Sequence, residues 1–310
     1  MRLSNFGNPS TTMSTSISTS VSTAASTDSE AMAIPISSSE LLKGLEDKVQ
    51  LFLGIANMRK VVNSRIQDLQ AGKTTDQYLV FRPVTTDDRD KIDDKIGRHW
   101  RKTHCVDLDT LIVKLMPLLR HEFSHGSFGR LMEAQAYAMG FSQYEFVNVL
   151  GTTYRGNFAS KEADTAFKPI TQRPNPADFP TIVLEAGVSQ SLRQLKNSAK
   201  WWLSNSRGQV QIVLIFSIKE QSRKIEIEKW ETRPATGRAT RSNRPPAQVP
   251  TQIQQITIDP NNVTGAPLIL HFHLIFLRAI NQNAVPPEYD LTFTAQDLRN
   301  WANSFWNIAV

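Results

Sequence analysis

Two neighbouring runs decide the fold: SKEADTAFKP (residues 160–169) and PTIVLEAGVSQS (residues 180–191). Both read as short strands bounded by turn residues. Asp164 sits in the first strand or its leading turn. Glu185 ends the apolar run Thr-Ile-Val-Leu. A carboxylate at the end of a buried strand is costly unless it has a partner, a metal or a wet cleft. The two segments are close enough in sequence to pair as neighbours. Paired in that way, Asp164 and Glu185 meet at a sheet edge and make an oxygen-rich site of the kind that suits Mg2+. A water on such an ion is a nucleophile for phosphodiester cleavage.

Working outward, TLIVKLMP (110–117) follows THCVDLD as the second arm of a hairpin turning at Asp107–Asp109. A helix is expected over about Leu119–Gly140, capped by Gly140. YLVFRPV (78–84) reads as a strand and TTDDRDKIDDKIG as a short helix. Downstream come the helix SLRQLKNSAKWWLSNS, the strand pair VQIVLIFSI and KIEIEKW, the strand TQIQQITID, and a closing helix capped by Thr294 and Asp297. APLILHFHLIFLRAI (266–280) is too short to span a bilayer and is read as buried strand. The resulting order is mixed α/β with a central sheet.

The flanks differ in texture. Residues 1–38 are Ser/Thr-rich and poor in large apolar groups, so a disordered tail is expected. Residues 39–77 read as a helical lead-in, opened by a capping box of Ser37 and Glu40. Residues 78–310 form the main domain, interrupted over 233–250 by a flexible Pro/Arg loop carrying Arg233, Arg238, Arg241 and Arg244.

Bulk properties set limits. The 310 residues are 40% hydrophobic, enough for a sizeable core. The lone Cys105 excludes a disulfide framework and any Cys-rich zinc site. With no apolar signal segment, an intracellular setting, cytoplasm or nucleus, is expected. A net charge of +6 suits a polyanionic partner.

RHEFSHGSFG (120–129) competes with this reading, because His121, Glu122 and His125 spell H-E-x-x-H. On a helix His121 and His125 share a stripe with Phe128, Met132 and Met139, the pattern of a half-buried face. A zinc protease needs a third ligand. The nearest downstream acid, Glu145, lies past the helix end, and the strand-rich region beyond it offers no second ligand helix. Glu122, Gly126, Gly129 and Glu133 form the adjacent stripe, where the glycines would admit a close backbone.

With TLIVKLMPLLRHE, TTYRG, KEAD, PTIVLEAGVSQSL, the WWL helix and IEIEKW in this order, the chain resembles the PD-(D/E)XK, or restriction-endonuclease-like, superfamily over about Tyr78 to Trp230. It is similar to bacterial endonucleases of that superfamily and to uncharacterised fungal relatives. The resemblance implies an αβββαβ core with a central mixed sheet, a Mg2+ (or Mn2+) cofactor, and DNA as substrate. A homodimer is the allowed assembly, and no membrane is involved. It implies Asp164 and Glu185 as metal ligands and Glu122, or Glu133, as the helix carboxylate. Three departures stand out. Ala163 replaces Pro, Gly187 stands where E-x-K requires Lys, and Gln190 replaces a common Glu. Lys196 or Lys200, on the rim of the following helix, is the expected replacement for the lost Lys. Trp201, opposite that helix's apolar stripe, is expected to be exposed. A non-catalytic nucleic-acid- or protein-binding member of the fold is the alternative, and the zinc metalloprotease the third reading.

Overall fold

The computed structural model describes residues 33–95, 100–115, 119–149, 151–188, 192–235 and 246–308. Most of the Ser/Thr-rich tail, Gln190, and Arg238, Arg241 and Arg244 lie outside them. In chain order the elements are α1 (Ser38–Leu42), β1 (Val49–Leu51), α2 (Ile55–Gln70), β2 (Tyr78–Arg82), α3 (Thr86–Lys95), β3 (Trp100–Cys105), β4 (Thr110–Leu115) and α4 (Leu119–Ala138). Then come β5 (Phe146–Asn148), β6 (Thr153–Arg155), β7 (Ala159–Glu162), β8 (Thr165–Pro169), β9 (Ile182–Val188), α5 (Leu192–Asn205), β10 (Ile212–Lys219) and β11 (Lys224–Pro234). The chain closes with β12 (Gln248–Ile258), β13 (Val263–Thr264), β14 (Leu268–Leu270), α6 (Phe272–Phe276), β15 (Leu291–Phe293) and α7 (Ala295–Trp306).

The fold is mixed α/β, but its strands do not share one central sheet. Among the described residues there is a six-stranded sheet, β1-β2-β4-β3-β7-β6, a seven-stranded sheet, β13-β12-β11-β10-β9-β8-β5, and the pair β14-β15. In the larger sheet β9 pairs antiparallel with β8 and parallel with β10. The order α4, β7–β9, α5, β10 follows the expected core.

Strand parity determines what faces what, because successive side chains alternate between faces. On β9, Ile182, Leu184 and Ala186 join α4 and α7 in one core, while Val183 faces a second core shared with α5. On β4, Leu111, Val113 and Leu115 pack with α2 in a third core. Ile112 faces the other way, with Val80 and Ala159, into the core shared with α5 and β9. The two large sheets therefore meet over that middle core. Glu185 shares a face with Val183, Lys114 with Ile112, and Lys161 with Ala159.

Several readings change. The lead-in is a short helix, a strand that pairs parallel with β2, and then α2; Ser37 makes no side-chain cap. The apolar stretch 266–280 holds the three-residue strand β14 and the helical turn α6 rather than one strand. Residues 233, 234 and 248–250 are not loop, because β11 and β12 pair there, Arg233 opposite Val249 and Pro234 opposite Gln248. The close neighbour of Gly129 is the Phe167 ring rather than backbone: a Cβ would lie 3.0 Å from its Cζ. Gly140 has φ +89° at the end of α4, as its capping role requires. No helix of the described residues is long and apolar enough to cross a membrane.

Candidate active site

The chain passes from the six-stranded sheet to the seven-stranded one through Ala163 and Asp164, between β7 and β8. That crossing places Asp164 beside β9, one residue beyond the Thr165–Leu184 pair. Its side chain is fully buried. Oδ2 accepts from Lys114 Nζ at 2.6 Å and from the Ala186 backbone N–H at 2.8 Å. Oδ1 has no hydrogen-bond partner. Arg101 reaches the same corner, donating to the backbone carbonyls of Ala163 and Asp164.

Glu185 is also buried. Its Oε1 accepts from Trp202 Nε1 on α5 at 2.7 Å and lies 3.1 Å from Lys161 Nζ. Its Oε2 lies 3.6 Å from Lys114 Nζ. One ammonium thus stands between Asp164 and Glu185, and a second contacts Glu185 from β7. The structure brings together the two carboxylates named from sequence and adds two lysines that were not.

Electrostatics couple these groups. Burial works against the charge on Lys114, but Asp164, Tyr78 and Glu185 hold its pKa above the usual lysine value. Burial likewise opposes ionisation of Asp164, and Lys114, followed by His121, keeps its carboxyl well below the ordinary aspartate range. Both groups stay charged.

The replacement lysines named from sequence lie elsewhere. Lys196 pairs with Glu228 at 3.0 Å and sits over the Trp230 ring. Lys200 is exposed on α5. Helical position alone put both on a rim; strand parity brings Lys114 and Lys161 inside. Trp201 is buried, 5.0 Å between ring centroids from Trp202, so it offers no exposed stacking surface. The legible signal was Lys114 itself, a charge inside the wholly buried strand TLIVKL.

α4 supplies the remaining groups. His121 and His125 are buried, and Glu122 keeps 46% of its side chain exposed. His121 Nε2 donates to the Ala186 carbonyl at 2.9 Å, and His125 Nδ1 bonds Thr165 Oγ1 at 2.7 Å. Burial lowers the His121 pKa below the usual histidine value. Glu133, eleven residues along α4, lies about 16 Å from Glu122 at the helical rise. Glu145 instead accepts from the Ser142 backbone N–H, so it is no third ligand for the histidines. A cavity of about 580 Å3 runs between α4 and α7, lined by Phe123, Arg130 and Trp301, and touches none of these groups.

No family model matches the chain, and no curated protein matches it. Among solved structures it is similar to a protein from Anabaena variabilis described as "a putative nuclease belonging to DUF820". The two are 13% identical, with a TM-score of 0.41, over 71% of this chain and 99% of that one.

Proposed function

We propose that this chain is a metal-dependent nuclease of the restriction-endonuclease-like type, acting on DNA phosphodiester bonds. The observation that supports this reading most is the meeting of Asp164 and Glu185 around Lys114 where the two sheets join. Lys114 and Lys161 take the place of the E-x-K lysine that Gly187 lacks.

The donors fit a divalent cation. Asp164 Oδ1 is a buried oxygen with no partner, and Asp164 Oδ2 and Glu185 Oε2 already face one positive charge. Asp164 and Glu185 would hold Mg2+ or Mn2+, which supplies an activated water and charge compensation. The chain's own groups do the rest. The Ala186 N–H and the Trp202 indole N–H fix the two carboxylates in place. The Lys114 and Lys161 ammonium groups orient a water and offset negative charge gathering on a phosphate.

A second reading is favoured by the charge balance. Two buried ammonium groups neutralise two buried carboxylates, which describes a closed structural cluster as well as a catalytic one. In that case the protein binds DNA, or another partner, without cutting it. Plasmid nicking with Mg2+ and then Mn2+, comparing wild type with Asp164→Asn, separates the two. Cleavage lost in the variant is expected. A folded wild type that binds DNA but cuts with neither metal would replace the first reading by the second.

A further inference from the structure

His121, Glu122 and His125 lie within about one helical turn on α4, and a ligand atom from each falls within 4.8 Å of the others. The outward nitrogens, His121 Nδ1 and His125 Nε2, are buried without a hydrogen-bond partner. Each lies 3.7 Å from an oxygen of the Glu122 carboxylate, too far for a hydrogen bond. Two ligands about 2.1 Å from one tetrahedral ion stand roughly 3.4 Å apart, so the gap is close to the size of a metal.

The opposite edge of each ring is already held. A carbonyl oxygen only accepts, so His121 Nε2 carries the proton in its bond to Ala186. That leaves the neutral ring's Nδ1 as a bare lone pair facing a carboxylate. Thr165 Oγ1 holds the His125 ring in place through Nδ1, and its hydroxyl accepts from or donates to that nitrogen. A histidine whose far nitrogen donates to a backbone carbonyl, as His121 does, is the usual setting of a metal ligand, because that bond fixes tautomer and ring plane. Buried nitrogens left without a partner are costly, and an ion would satisfy both.

We infer that His121 Nδ1, His125 Nε2 and Glu122 form a binding site for a divalent transition-metal ion, zinc by preference. Two imidazoles and a carboxylate select zinc-like ions over Mg2+, which prefers oxygen ligands. The exposed side of Glu122 leaves the remaining positions open to water. The arrangement differs from that of a protease, because Glu122 acts here as a ligand rather than as a base. Its ligands are distinct from those of the nuclease proposal, Asp164 and Glu185, although His121 Nε2 lies 3.7 Å from Asp164 Oδ2.

The test is metal binding by the full chain after chelator treatment, titrated with Zn2+ and, for its visible ligand-field bands, with Co2+. Wild type is expected to take up zinc in the presence of excess Mg2+. Glu122→Gln and His125→Gln should each weaken binding at least about tenfold. Glu145→Gln, at an acid past the end of α4 that caps Ser142, should bind as wild type does. Glu122 is half exposed, so Glu122→Gln should keep the native circular dichroism even if the histidine variant fails to fold. Absence of zinc binding by wild type overturns the inference. So does binding unchanged in Glu122→Gln, or binding lost in Glu145→Gln. Cleavage assays decide the nuclease reading separately, so failure of one leaves the other standing.

Discussion

Lys114 is buried, and its ammonium serves two carboxylates outside its own sheet, Asp164 at the crossing and Glu185 on β9. Removing one partner of a buried ion pair leaves an uncompensated charge, which usually costs about 3–5 kcal/mol. Lys114→Met should therefore lower unfolding stability by about that amount in urea titrations. Adding Asp164→Asn should restore part of the loss, since it removes the orphaned charge. A double variant as unstable as the sum of the singles would show that Asp164 and Lys114 are not coupled. Glu185 is legible because an acid closing an apolar run needs a partner, though β9 continues past it to Val188, and Asp164 is legible from its place just before the neighbouring strand. Lys114 was as visible in TLIVKL, yet nothing in a linear pattern says which distant carboxylate a buried lysine meets. Helical spacing puts Lys196 and Lys200 on the rim of the next helix, and a rim position on one element is a poor guide to what two sheets enclose.

At the scale of the element, α7 shows how well local rules work when the chemistry is local. Thr294 Oγ1 accepts from the Asp297 N–H, and the Asp297 carboxylate accepts from the Thr294 N–H. The helix so started buries Leu298, Trp301 and Phe305. Hydrogen bonds from Thr294 lower the Asp297 pKa. A depressed carboxylate pKa gives stability that is present above the unfolded-state value. That stability is lost as pH falls through the folded value. Asp297→Ala should cost about 1 kcal/mol near neutral pH. The gap between variant and wild type should close as pH drops below about 4, the ordinary range of the carboxyl. A gap that persists in acid urea titrations would assign the cost to something other than the charged cap. The element misread was the apolar stretch around His271, because short apolar runs fit strand and helix alike. Ser37 failed as a cap for a related reason: a motif of suitable letters preceded only a five-residue helix.

For the whole molecule, the sequence pattern conveyed the order of elements but not their division into two sheets. β7 and β8 are separated by only two residues yet belong to different sheets. A pattern of strands and turns reads the same whether the next strand continues a sheet or starts another. The net charge of +6 is likewise a property of the whole chain. If DNA is the partner, binding should weaken steeply as salt rises, because each neutralised phosphate releases counterions. Fluorescence anisotropy with labelled duplex across a roughly tenfold salt range checks this. A flat response would remove polyanion binding as the role of the basic charge.

The crossing at Ala163–Asp164 also bears on how the molecule assembles. Lys114 reaches Ala186 across 72 residues and Asp164 across 50. Contacts so distant in the chain close late, after local hairpins such as β3–β4 have formed. Until the two sheets dock, the acids gathered by β8–β9 pairing remain hydrated and apart from Lys114 and Lys161 on the other sheet. Neither sheet alone therefore carries a neutralised cluster. The Trp202 indole bond to Glu185, made within the seven-stranded layer, should recover during refolding before the Lys114 contact with Asp164 does.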